Sequence, residues 1–73
     1  FQPNLGDSAA AERSYRKSLA LAERLVRQKP DDIEAHLQLV SSQFSLGRLL
    51  VVSGGLPEAR KLYEDGRDRA EKL

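Results

Sequence analysis

Two clusters of turn-forming residues divide the 73-residue sequence and limit what it can fold into. They are Lys29-Pro30-Asp31-Asp32 and Ser53-Gly54-Gly55-Leu56-Pro57, and proline and glycine are the residues that most often interrupt helices. The segments around them have apolar residues at helical spacing and no alternation with a period of two, so we expect no strands. Short links between long helices make neighbouring helices antiparallel. The sequence therefore predicts an all-α fold, an up-down-up array with a lead-in at 1–7 and helices at 8–29, 32–53 and 57–72.

The first predicted helix has a single apolar face. Asp7 and Ser8 are good candidates for its N-cap, and the alanines that follow favour helix. At about 100° per residue, small and apolar residues gather on one side, and five cations gather on the other. The apolar side comprises Ala11, Tyr15, Ser18, Leu19, Ala22, Leu25 and Val26; the cations are Arg13, Arg16, Lys17, Arg24 and Arg27.

The second predicted helix has two apolar seams. Asp31 and Glu34 have the spacing of a capping box, and Gly54 and Gly55 provide a C-terminal stop. A helix with two seams has neighbours on two sides, so we expect this helix to lie in the middle. The first seam comprises Ile33, Leu37, Val40, Phe44, Gly47 and Val51, and the second comprises Leu39, Leu46 and Leu50.

The third predicted helix is amphipathic and begins at Pro57, because proline is well tolerated at a first helical position. Its remaining positions are charged and spaced for pairs four residues apart, which indicates a solvated face. Its apolar face comprises Ala59, Leu62, Tyr63, Gly66, Ala70 and Leu73.

The first and third helices are related by an internal repeat. A shift of 48 residues superimposes identical residues, and Ser18 falls on Gly66, small on small. Apart from the turn glycine, the matches lie on the apolar faces, whereas the charged positions do not match. The matched pairs are Gly6 with Gly54, Ala11 with Ala59, Tyr15 with Tyr63, Ala22 with Ala70, and Leu25 with Leu73.

These residues resemble the tetratricopeptide repeat (TPR) family. The second helix of that repeat has a turn glycine, an alanine, an aromatic residue and a small residue, as in Gly6, Ala11, Tyr15, Ser18 and again in Gly54, Ala59, Tyr63, Gly66. The first helix of the family repeat carries an aromatic residue, Leu-Gly and a tyrosine. Here Leu46 and Gly47 match, but Gln43 replaces the aromatic residue and Leu50 replaces the tyrosine.

The spacing departs from that family in length. The family repeat has about 34 residues, whereas the shift here is 48. One additional heptad in each helix of the hairpin explains the difference and returns the apolar faces nearly to register. The resemblance then implies one complete hairpin preceded by the second helix of another repeat.

The resemblance also implies where a partner would bind. In the family, the first helix of each hairpin lines the ligand groove, and the matching positions here are Ser41, Phe44, Arg48, Val51 and Val52. Independently of the resemblance, the apolar residues Leu49 and Val52 point away from both seams and could contact a partner. Two of the groove positions, Phe44 and Val51, also belong to the first seam, which leaves Arg48 and Val52 as the better candidates. The candidate partner-binding residues are Ser41, Phe44, Arg48, Leu49, Val51 and Val52.

Nothing in the sequence predicts catalysis, a cofactor or a metal site. There is no cysteine, and His36 is the only histidine, so a metal site would depend on one imidazole and carboxylates. We expect His36 to be a polar residue at the edge of the bundle. The helical serines lack a glycine-bounded elbow, and Gly54-Gly55 lacks the lysine of a phosphate loop.

Charge and hydropathy restrict the partners. The net charge of +1 does not call for nucleic acid, and the cations of the first helix are flanked by Glu12 and Glu23 with no aromatic residue among them. No apolar run approaches the length of a membrane span, and no leader peptide is evident. We therefore expect a protein or peptide partner in the cytoplasm. Because the chain begins at Phe1, we also expect it to be a piece of a longer protein.

Three functions remain open at this stage. The first is a non-catalytic helical-repeat scaffold that binds a protein segment or adjacent repeats of its parent chain. The second is a regulatory or dimerisation appendage, with a possible homodimer, of a signalling enzyme such as a bacterial protein kinase; the residues from Pro3 to Asp7 resemble repeat regions that follow such kinases. The third is a helical bundle that binds nucleic acid.

Overall fold

The computed structural model describes the backbone of residues 5–73 and the side chains of residues 9–73. Within this range the chain forms three α-helices and no strand: α1 (Leu5–Gln28), α2 (Ile33–Ser53) and α3 (Leu56–Glu71). The predicted all-α array of three helices is confirmed. The helices begin at residues 5, 33 and 56, whereas the sequence predicts starts at residues 8, 32 and 57.

The start of α1 differs from the prediction. The helix begins at Leu5, so Asp7 and Ser8 lie inside it and are not its N-cap. The predicted capping bonds from these two side chains lie outside the described side chains, as do residues 1–4 of the lead-in.

In the turn between α1 and α2, Asp32 is the N-cap of α2, and the predicted capping box at Asp31 is wrong. The Asp32 carboxylate accepts hydrogen bonds from the backbone N–H groups of Glu34 at 3.0 Å and Ala35 at 3.4 Å. These groups have no partner within the helix, so the side chain replaces the missing carbonyls. Pro30 precedes the cap and cannot donate a hydrogen bond to extend α1.

The second turn follows the glycine signal in the sequence. Gly54 ends α2 with a φ of +96°, a left-handed conformation that glycine adopts without steric cost. The backbone N–H groups of Gly54 and Gly55 both donate to the carbonyl of Leu50. Leu56 then opens α3, and Pro57 occupies its first turn.

α2 is the middle helix, as predicted, and packs against both α1 and α3. The array is elongated, with extents of 45 × 19 × 16 Å. Its core is formed by the side chains of Leu46 and Leu50 from α2 and Ala59 from α3, with Leu19 of α1 and Leu62 of α3 packed against them. Because burying each large apolar side chain contributes about 1.5–3 kcal/mol, these contacts from all three helices hold the array together.

The two seams of α2 are buried to different extents. The second seam, Leu39, Leu46 and Leu50, is fully buried. The first seam is buried only in part, since Ile33, Leu37 and Val51 are exposed. The buried face of α2 is completed by Val40 and Gly47 of the first seam and by two residues outside both seams, Ala35 and Gln43.

The repeat-related faces of α1 and α3 also differ in burial. Ala59 and Gly66 of α3 are buried against α2, whereas their counterparts Ala11 and Ser18 in α1 are partly or fully exposed. Within the described residues α1 has one packed neighbour, α2, which covers Ala22 and contacts Leu19. The shared sequence pattern therefore does not give these two helices the same surroundings.

Candidate interaction surface

The predicted partner-binding residues lie on two sides of α2. Phe44 and Val51 face a groove between α2 and α3. Arg48, Leu49 and Val52 line a depression between α2 and α1. Ser41 is exposed. The structure thus brings these residues to one helix but not to a single concave site.

The groove between α2 and α3 is apolar at its centre and charged at its rim. It has a volume of about 530 Å³. The rim side chains Arg60 and Arg67 form no ion pair with any side chain that the structure describes. The groove is lined by Phe44, Val51, Leu56, Ala59, Arg60, Tyr63, Glu64 and Arg67.

Two aromatic rings and two glycines build the floor of this groove. The ring centroids of Phe44 and Tyr63 are 5.9 Å apart, at an interplanar angle of 45°. Each ring lies over a glycine of the other helix: a Cβ on Gly47 would be 3.1 Å from Tyr63, and a Cβ on Gly66 would be 2.8 Å from Phe44. The two glycines therefore allow α2 and α3 to approach closely while the rings fill the space beside them.

Apolar side chains extend beyond the groove along one side of α2. Ile33 is 60% exposed, Leu37 52% and Val51 45%, and Phe44 is half-buried. At about 100° per residue these four residues fall within a narrow arc of the helix, and at 1.5 Å per residue they extend over about 27 Å. We refer to Ile33, Leu37, Phe44 and Val51 as the α2 stripe.

The depression between α1 and α2 is smaller and shallower. Its volume is about 290 Å³, and it is formed by Tyr15, Ser45, Arg48, Leu49 and Val52. Tyr15 is 39% exposed and Val52 is 84% exposed. These side chains leave the depression open to solvent, and it does not share residues with the α2 stripe.

His36 lies at the end of the bundle and connects two elements, where the sequence predicted only a polar edge residue. Its Nε2 is 2.7 Å from the carbonyl oxygen of Pro30, and its Nδ1 is 3.4 Å from a terminal guanidinium nitrogen of Arg69. A neutral ring with its proton on Nε2 satisfies both contacts, as a donor to Pro30 and an acceptor from Arg69. Both nitrogens are thereby occupied by structural contacts. Among the described residues, no three histidine or acidic side chains are placed to hold a metal ion.

The basic face of α1 is partly neutralised. The Arg16 guanidinium binds the carboxylate of Glu58 on α3 through two hydrogen bonds, at 2.8 and 2.9 Å, and that of Glu12 at 2.9 Å. The bonds to Glu58 raise the pKa of Arg16, and they lower the pKa of Glu58. The sequence did not predict this link between α1 and α3, because its spacing of 42 residues has no local signature.

The sequence also missed the contribution of α3 to the groove. Leu56, Tyr63 and the two rim arginines line it, although the prediction placed a partner on the first helix of the hairpin alone. A usable signal was present, since Arg60 and Arg67 are one heptad apart on either side of Tyr63 and so lie on one side of α3.

No helix within residues 5–73 has both the length and the hydropathy needed to cross a membrane. Comparisons of the chain with known protein families, with curated proteins and with solved structures gave no match.

Proposed function

We propose that this chain is a non-catalytic, TPR-like helical scaffold whose function is to bind another protein chain. The observation that carries the proposal is the α2 stripe. Exposed apolar residues are common when scattered singly, but a contiguous patch rimmed by polar residues is typical of a protein-binding surface. The stripe and the groove beside it have this character.

The packing of α2 on α3 supports the TPR-like part of the proposal. The alanine and the small residue of the repeat pattern, Ala59 and Gly66, are buried at the contact with α2, and Tyr63 packs over Gly47. The resemblance was based on these residue types at these positions. The repeat-related tyrosines differ in their surroundings, since Tyr15 is exposed and Tyr63 packs against α2. In a TPR-like array, a further helix equivalent to α2 would lie beside α1.

The shape of the surface suits an extended or helical segment of protein. The stripe is long and narrow, and the groove beside Val51 has room for side chains that project from such a segment. Amphipathic helices bind to apolar grooves through residues spaced three or four apart. We propose binding of this kind and assign no chemistry to the chain.

The test is selection of peptides on the immobilised chain, with a matched variant as the counter-selection. The variant carries Leu37→Glu and Val51→Glu, two exposed positions, so it keeps its helicity by circular dichroism. We expect peptides that bind the native chain and not the variant, with apolar residues at helical spacing, and affinities measurable by calorimetry. Equal recovery of peptides on both chains would refute a binding function of the stripe.

A further inference from the structure

We propose that the α2 stripe pairs with the same stripe of a second copy of this chain, with the two α2 helices antiparallel. The inference rests on the proposed function, because it names the protein that the surface binds. It depends on the arrangement of apolar and charged residues along α2, which is complementary to itself in one orientation only.

The apolar residues of α2 match under a two-fold rotation. In an antiparallel pair centred on residue 42, Ile33 lies opposite Val51 of the second copy. Isologous dimers require this kind of pattern, since one surface must fit itself. In this register Ile33 of the second copy also reaches the end of the groove formed by Val51 and Leu56.

The charges beside the stripe match in nearly the same register. Glu34 and Arg48 are exposed, and neither forms an ion pair with any side chain in the described part of the chain. Both fall on the edge of the stripe remote from α3 at about 100° per residue. Because they are equally distant from residue 41, Glu34 of each copy meets Arg48 of the other.

The parallel orientation is disfavoured by the same two residues. Parallel α2 helices related by a two-fold axis would place the edge that carries Glu34 and Arg48 on opposite sides of the interface in the two copies, so neither pair would form. Pairing through α3 is disfavoured by repulsion between like charges. A two-fold pairing centred on Glu64 would set Glu64 against itself and would bring the rim arginines Arg60 and Arg67 together.

The first test is sedimentation equilibrium from micromolar to millimolar concentration. We expect a reversible monomer–dimer equilibrium for the native chain and a monomer for Leu37→Glu. Reversing one charge turns two attractive pairs into two repulsive ones, so Glu34→Arg and Arg48→Glu alone each weaken the dimer about tenfold. Arg24→Glu reverses a charge on α1, remote from the stripe, and serves as the matched control that should leave the equilibrium unchanged.

Mixing distinguishes specific pairing from a general effect of charge. The Glu34→Arg chain and the Arg48→Glu chain restore both attractive pairs when they associate with each other. The mixture should therefore form a heterodimer about as tight as the native dimer, and the double variant Glu34→Arg/Arg48→Glu should recover the homodimer. Single variants that associate as well as the native chain, or a mixture and double variant that stay weak, would overturn the register.

Cross-linking locates the two-fold axis. The chain has no cysteine, so a single introduced cysteine is unambiguous. With a short bis-maleimide, Ser41→Cys should yield covalent dimer, whereas Ser53→Cys should not, because residue 53 lies roughly 33 Å from its symmetry mate at 1.5 Å per residue. Equal yields from both variants would contradict the antiparallel pairing.

The outcome also separates this inference from the proposed function. A native chain that is monomeric throughout, yet selects peptides that the Leu37→Glu/Val51→Glu variant rejects, refutes the dimer and leaves the binding function in place. A monomer that selects no such peptides refutes both.

Discussion

At the scale of single residues, Gln43 is the least expected member of the core. It is almost fully buried, and its side-chain oxygen finds no hydrogen-bond donor among the described residues. A buried polar atom without a partner costs about 1–3 kcal/mol. Replacing Gln43 with leucine, which has a similar length, should therefore stabilise the fold by about 1–2 kcal/mol.

Urea denaturation of Gln43→Leu tests this expectation, and Gln38→Leu on the exposed side of α2 is the control. The control should change the free energy of unfolding little. A loss of stability in Gln43→Leu would contradict this, because it would mean that the buried amide makes a favourable contact in the folded chain.

Gly66 tests the close approach of α2 and α3. Alanine is favoured over glycine in a helix by about 1 kcal/mol, so propensity alone predicts a gain on replacement. The new Cβ would lie 2.8 Å from the Phe44 ring, however, and we expect a net destabilisation of about 1–2 kcal/mol.

A double-mutant cycle with Phe44→Ala checks the cause. Once the ring is removed, Gly66→Ala should become neutral or stabilising, because the added methyl group then has room. A gain in stability from Gly66→Ala in the native background would contradict the packing described here.

At the scale of helices, Asp32 and Asp31 provide a matched pair of substitutions. Asp32 caps α2, so Asp32→Ala should lower the free energy of unfolding by about 1 kcal/mol. Asp31→Ala removes the same charge from the same turn without removing the cap and should change stability by a few tenths of a kcal/mol. Equal losses in chemical denaturation would show that local charge, not capping, stabilises the start of α2.

The link between α1 and α3 should give stability a dependence on pH. The bonds from Arg16 lower the pKa of Glu58 in the folded chain, so the contribution of this pair is fully present above the carboxyl's ordinary pKa of about 4.5. It is lost as the pH falls through the lowered value. Because both side chains are about half exposed, Glu58→Gln should cost only about 0.5 kcal/mol at neutral pH.

At acidic pH the same substitution should cost nothing, and the difference should also shrink in high salt. Glu64→Gln, an exposed glutamate of the same helix without an ion pair among the described residues, serves as the control. A cost of Glu58→Gln that is equal at pH 7 and pH 3 would contradict an ion-pair origin.

Helix-level features were predictable where the signal is local. Gly54 ends α2 because a left-handed residue is needed there, and the pattern of small and apolar residues placed α2 in the middle. The capping residue was misassigned by one position, since Asp31 and Asp32 are chemically identical and only the backbone decides which one faces the helix.

At the scale of the whole molecule, the sequence could not determine which apolar residues stay exposed. Ile33 and Leu37 continue the period of a buried seam, and periodicity reports only that residues share a face. Their exposure depends on the positions at which α1 and α3 pack around α2, which is a property of the whole array. The groove was missed for the same reason, because Tyr63 and Phe44 come together only when the two helices pack.

The α2 stripe is proposed to be a protein-binding surface. The most direct measurement is the amide proton–nitrogen correlation spectrum of the chain, recorded with and without a peptide selected on it. We expect shifts concentrated at Leu37, Phe44 and Val51 of α2 and at the groove residues of α3. Shifts confined to the outer face of α1, around Leu21, with the stripe unchanged, would contradict it.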